Sequence, residues 1–164
     1  MLKLKLFGTG QASYENQPLV GFPSQQCFLL LCYLLLNPQP HHRERLATIF
    51  WEEASTHASR KNLSQTLWRL RQALQSANVP IDDYLIVDRG CVSFNTSSVY
   101  WLDTEVFERT VIRYQGISGG KLTLEQAQEL EDVVTLFTGD LLEGIYEDWC
   151  LYSTFVHFFR QKPD

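Results

Sequence analysis

The chain has 164 residues, 45% hydrophobic, 13% aromatic and 20% charged, which is enough apolar material for a packed core and unlike a disordered or collagen-like chain. Its longest apolar run, Cys27 to Leu36, is about half of the ~20 residues that a membrane-spanning helix needs, and Gly8 to Ser13 interrupts the apolar start that a signal peptide would require. The net charge of −5 disfavours nucleic acid as a partner only until it is divided: residues 1–101 hold nine basic and seven acidic side chains (+2), and residues 102–164 hold five and twelve (−7).

Two parts are therefore expected, 1–101 and 102–164, in a chain that crosses no membrane and stays in the cytoplasm. Cys27, Cys32, Cys91 and Cys150 are scattered and read as reduced, mostly buried thiols.

In chain order, Leu2, Leu4 and Leu6 alternate with Lys3 and Lys5, the pattern of a half-buried strand that Gly8 to Gly10 ends. Gln11 to Tyr14 and Pro18 to Val20 are the next expected strands, about a turn at Glu15, Asn16 and Gln17. Pro23 and Ser24 open a helix that runs to Leu36 and is apolar almost all round, so it must be buried. Asn37, Pro38 and Pro40 end it, and Arg43 to Trp51 reads as a second, short helix. The third, from about Ser59 to Ala77, carries Leu63, Leu67, Leu70 and Leu74 at intervals of 4, 3 and 4, a helical stripe. Tyr84 to Val87 and Cys91 to Phe94 flank Asp88, Arg89 and Gly90 as a hairpin. From Asp103 three further helices are expected, Asp103 to Gln115, Thr123 to Thr138 and Ile145 to Gln161, with no strand among them.

No residues assemble into a catalytic site. Gly120-Lys121 suggests a phosphate-binding loop, but Gln115 stands where its first glycine is required and Leu122 where its hydroxyl residue is. His41 and His42 cannot share a face and have no ligand at zinc spacing, so neither a metal nor a cofactor is expected. There is no G-x-S-x-G elbow and no carboxylate pair in apolar surroundings.

The third helix is different. At 100° per residue its leucine stripe centres near 10°, whereas Lys61, Gln65, Trp68 and Gln72 fall at about 160°, 200°, 140° and 180°, with Arg69 and Asn62 bordering them at about 240° and 260° and Ser64 and Arg71 on the other side. That face has no acid, and its side chains are of the kinds that reach phosphates and base edges. A solvated helix face is the plain alternative. The hairpin that follows, with Arg89 at its tip, favours the DNA-binding one. Arg69 and Gln65 are assigned to base edges, Lys61, Trp68 and Arg89 to backbone or minor-groove contacts, and Arg71 to a flanking position or an ion pair with Glu44 or Glu52.

The order of a short sheet, a buried helix, a helix ending in Phe50-Trp51 and the run Arg60-Lys61-Asn62-Leu63-Ser64-Gln65-Thr66-Leu67-Trp68-Arg69-Leu70-Arg71 resembles the OmpR/PhoB-type winged helix-turn-helix of SARP-type activators. Downstream, Trp101-Leu102-Asp103-Thr104-Glu105-Val106-Phe107 and Gly139-Asp140-Leu141-Leu142-Glu143-Gly144-Ile145-Tyr146-Glu147-Asp148-Trp149 resemble the bacterial transcriptional activator domain (BTAD), a TPR-like helical module. The resemblance implies a mainly α chain with small sheets: a winged helix over 1–101, then the first part of a BTAD-like domain over 102–164. It implies a non-enzymatic, sequence-specific regulator of transcription, an activator, with double-stranded DNA as partner and RNA polymerase as a further one. The third helix would enter the major groove and the hairpin at 84–94 would act as the wing. A winged helix that docks protein rather than DNA is the rival reading. Trp149, Leu151, Tyr152, Phe155, Val156, Phe158 and Phe159 give the last helix more apolar surface than one helical hairpin covers, so self-association through the C-terminal helices is expected.

Overall fold

A computed structural model describes residues 1–88 and 90–151. Among them the chain is mixed α/β, with seven α-helices and two small sheets, and no helix is long and apolar enough to cross a membrane. The described residues divide into two compact units: one is residues 14–99 with Leu2, the other Met1 and residues 3–13 with residues 100–151. The N-terminal strands thus belong with the C-terminal helices.

Within 14–99, α1 (Gln25–Leu36) starts at Ser24, whose hydroxyl accepts from the Cys27 N–H, and buries Cys27 and the whole run Leu29 to Leu35. Asn37 ends it by donating to the Tyr33 carbonyl from both its backbone and its side chain. A two-residue strand, β4 (His41–His42), leads into α2 (Arg43–Phe50), and Ser55 caps the 21-residue α3 (Thr56–Ser76). Leu63, Leu67, Leu70 and Leu74 are all buried, as their spacing requires, and α3 packs on both α1 and α2. The helix begins three residues before the expected Ser59, because Ser55 supplies the cap.

Its other end is sharp. Asn78 adopts a positive φ of 58°, its N–H donates to the Gln75 carbonyl, and the Val79 N–H donates to the Leu74 carbonyl at 2.9 Å, with both Val79 and Leu74 buried. This is the left-handed stop that Asn tolerates better than most residues. A single turn, α4 (Ile81–Tyr84), precedes the hairpin β5 (Leu85–Asp88) and β6 (Cys91–Phe94). In this sheet the order is β4-β6-β5, with His41 opposite Val92 and His42 opposite Cys91. The strand between α1 and α2 is therefore completed by a hairpin that arrives some fifty residues later, as the |i−j| of 49 for the His42–Cys91 contact shows.

In the other sheet, β1 (Leu2–Lys5) lies between β2 (Gln11–Tyr14) and β7 (Tyr100–Leu102), and β2 turns through Glu15 and Asn16, both at positive φ, into β3 (Gln17–Pro18). The expected strand Pro18 to Val20 is shorter and earlier than its residue types suggested, and Val20 is 90% exposed. The helices are α5 (Asp103–Tyr114), α6 (Leu124–Val134) and α7 (Asp148–Leu151), with a short 3-10 turn at Gly119–Lys121. Thr123 and Gln126 form a reciprocal capping box at the start of α6. Phe7 sits edge-on to Phe107 and Phe137, at 5.5 and 5.1 Å between ring centroids, with Val133 beside it.

Three expectations for this half are corrected. Strand character does reach it: Leu102 is in β7, and Leu141 forms a β-bridge with Phe7. The helix expected over Thr123 to Thr138 ends at Val134, since Phe137 is turned onto Phe7 and the Thr138 hydroxyl donates to the Phe7 carbonyl at 3.0 Å. The last helix starts at Asp148 rather than Ile145, because the Ile145 N–H closes a turn onto Leu142 and Gly144 lies at a φ of 88°. Tyr152, Phe155, Val156, Phe158 and Phe159 lie outside the described residues.

The residues from Gly139 to Glu143 clasp the N-terminal strand. The Gly8 N–H donates to the Asp140 carbonyl, the Leu142 N–H to Leu6 and the Glu143 N–H to Gly8, at 2.9, 2.8 and 2.7 Å. Gly139 eases this approach, as a Cβ there would lie 2.8 Å from a Glu143 carboxylate oxygen and 3.3 Å from the Gly8 Cα. Asp103 anchors the same segment from the other side: it is 1% exposed and its carboxylate accepts from the N–H groups of Leu6, Phe7 and Thr104 at 2.8 to 3.0 Å.

All four cysteines are free, and Cys91 alone is not fully buried. Burial, reinforced by Glu147, pushes the Cys150 thiol from 9.0 up to about 11. A raised folded-state value means that the group's contribution is intact below pH 9 and is lost as pH climbs toward 11, where the unfolded thiol ionises and the buried one does not. The unfolding free energy measured in urea should accordingly fall between pH 9 and 11, by at most ~1.4 kcal/mol per pH unit from this group. Cys150→Ala should flatten that fall, and an unchanged slope would refute the assignment.

Candidate nucleic-acid interface

The exposed face of α3 is the one the helical angles predict. Lys61, Gln65, Trp68, Arg69 and Gln72 are exposed, Asn62 is half-buried, and the helix contains no acid. Arg89 lies outside the described residues. Opposite the face, the four leucines hold α3 against α1 and α2, so the side chains stand on a rigid support.

Ion pairing sorts the four cations of α3 into two kinds. Arg60 bonds Glu44 of α2, and Arg71 pairs with Asp82 of α4 at 3.0 Å. Arg71, expected to flank the groove or to pair with an acid such as Glu44 or Glu52, does pair with an acid, but with Asp82, because the stop at Asn78 turns the chain back so that α4 packs against α3. Among the described residues Lys61 and Arg69 have no ion-pair partner. These two cations are therefore available to a ligand, with the Gln65 amide beside them, while the Gln72 amide donates to the Gln75 side-chain oxygen at 3.4 Å on the exposed surface.

A groove of about 510 Å³ adjoins the N-terminal half of α3, lined by His42, Arg43, Glu44, Arg60, Leu63, Ser64 and Gly90. Arg43 was not singled out from the sequence. Its guanidinium donates to the Ser64 hydroxyl at 2.9 Å, while its backbone N–H donates to the Gly90 carbonyl at 2.8 Å, so a single residue ties α2 to both α3 and the hairpin turn. An arginine at the first position of a helix carries no sequence signal for such a role, since Ser64 is 21 residues away.

The histidines divide as their adjacency in a strand requires. His41 is 3% exposed, lies against the Tyr33 ring and has its Nε2 2.8 Å from the Asn37 carbonyl oxygen. His42 is exposed, with its Nδ1 3.5 Å from the Cys91 Sγ. Among the described residues no group of three His, Cys, Asp or Glu is placed to hold a metal ion. At the start of α1, Ser24 already occupies one of the orphan N–H groups, which leaves fewer there for a phosphate.

Comparison of the chain with protein-family models and with curated protein sequences finds no match to either.

Proposed function

We propose that the chain is a sequence-specific, non-enzymatic DNA-binding regulator of transcription, an activator of the SARP type that works in the cytoplasm on double-stranded DNA. In this reading residues 1–101 are an OmpR/PhoB-like winged helix, α3 enters the major groove and the β5–β6 hairpin with Arg89 is the wing. Residues 102–164 are the first part of a BTAD-like, TPR-like module that associates with itself and with RNA polymerase. The observation that carries it is the acid-free exposed face of α3, with Lys61 and Arg69 unpaired beside Gln65 and Gln72. The order α1-β4-α2-α3, then the single turn α4 and the hairpin β5-β6, with the sheet order β4-β6-β5, is consistent with a winged helix-turn-helix, which supports the reading.

Selection from a random duplex pool tests it, with recovery of a repeated motif as the expected result. Binding must also weaken with salt, because each phosphate neutralised by Lys or Arg releases counterions. Lys61→Ala should weaken specific and random duplexes about equally and make the log–log salt slope shallower by about one. An unchanged slope would remove Lys61 from the phosphate contacts.

One observation favours the rival, a protein-docking winged helix. A groove of about 470 Å³ runs between residues 18–23 and the end of α3, with Pro18, Leu19, Val20 and Phe22 on one wall. No enrichment of any duplex at low salt, together with salt-insensitive capture of a protein ligand, would support that second reading.

A further inference from the structure

We infer that Trp68 reads the C5-methyl group of thymine, and so selects A·T pairs beside the amides of Gln65 and Gln72. This rests on the reading of α3 as the groove-entering helix. Trp68 is 61% exposed, and among the described residues it has no hydrogen bond and no ring or ionic contact to account for its position. Its place on the helix is central. The polar face centres near 180°, from which Trp68 departs by about 40° and Arg69 by about 60°, at 100° per residue. Gln65 precedes it by three residues and Gln72 follows by four, so the indole stands between the two amides on one face.

The chemistry of the groove then restricts what a large apolar ring can recognise. Base edges in the major groove present hydrogen-bond donors and acceptors, and the thymine methyl is the apolar group among them. Gln bonds the N6 and N7 of adenine, whose partner is thymine. An indole between two glutamines therefore meets the methyl of a pair that the glutamines already favour. A tryptophan in contact with the backbone or the minor groove, as the sequence alone suggests, would be indifferent to that methyl.

Deoxyuridine makes the test, since replacing thymine with it deletes the methyl and keeps the hydrogen-bonding pattern. The probe is the duplex selected by the whole chain from a random pool, with its thymines replaced one at a time and then together. At one or two positions the substitution should weaken binding about fourfold, the factor that follows from burying one methyl-sized group. Trp68→Ala should bind the thymine and deoxyuridine duplexes alike, with an unchanged circular dichroism spectrum and an unchanged salt slope, because the indole carries no charge. Trp68→Phe should keep part of the preference. Equal affinity of the wild-type chain for the thymine duplex and the fully substituted one overturns the inference and leaves the DNA-binding reading standing, as does Trp68→Ala that retains the preference. No salt-dependent binding to any duplex overturns both.

Discussion

Asp103→Asn should destabilise the chain by about 2–4 kcal/mol in urea unfolding at neutral pH, the largest loss expected of any single polar substitution in it. Three backbone N–H groups converge on the two oxygens of one carboxylate that is 1% exposed, and two of them belong to Leu6 and Phe7. An amide has one acceptor oxygen and an NH₂ group, so the variant turns a donor toward donors and leaves at least one buried N–H unpaired. Burial raises the Asp103 carboxyl above its ordinary range, while the backbone donors and Lys5 pull it back down. Burial outweighs these contacts, so the charge is compensated only in part, and the loss on substitution comes from the backbone N–H left without an acceptor. Asp140→Asn is the control, since the Asp140 side chain is exposed and its backbone carbonyl makes the contact to Gly8. It should change stability by no more than ~0.5 kcal/mol. Similar losses in the two variants would show that the carboxylate is no anchor.

Arg69→Ala should cost ~1–3 kcal/mol of binding on a selected duplex and much less on random DNA, measured as fluorescence anisotropy on matched duplexes. Arg69 is exposed and has no ion-pair partner among the described residues, so its loss should leave unfolding within ~0.5 kcal/mol of wild type. Stability and discrimination are thereby separated in one variant. Arg71→Ala gives the opposite signature, because its guanidinium is already engaged by Asp82 at 3.0 Å. Its pair is partly exposed, so stability should drop by no more than ~1 kcal/mol while base preference stays the same. Equal losses for Arg69→Ala on both duplexes, with the fold intact, would remove it from the base contacts.

Periodicity made the helical parts of the fold legible. The 4-3-4 spacing of Leu63, Leu67, Leu70 and Leu74 was enough to orient α3, and the faces computed from it are the faces observed. Ser24 and the Pro38–Pro40 segment bounded α1 for local reasons, and Gly90 marked the hairpin. What escaped was pairing over long separations. Tyr100–Leu102 is too short to alternate, and Leu141 joins Phe7 across 134 residues, a contact that no local pattern encodes. Asp103 looked like an ordinary acid in the first turn of a helix; its anchoring role depends on backbone donors 96 and 97 residues away. On the candidate interface, the exposure of Lys61, Gln65, Trp68, Arg69 and Gln72 followed from angles alone. The partners of Arg60 and Arg71 did not, because they sit on other helices.

The clasp of Gly139 to Glu143 on Leu6 to Gly8 also sets a waiting time on the ribosome. A chain emerging at about 5–20 residues per second exposes its first strand roughly 7–26 s before the residues that close over it have been made. Through that interval Leu4, Leu6 and Phe7, all buried in the finished protein, present an unfinished apolar edge. The sheet of β4, β6 and β5 faces no such delay, since its strands all lie between His41 and Phe94. Synthesis therefore delivers the helices of residues 25–76 complete while the first strand is still open, and crowding at high expression would act on that strand first.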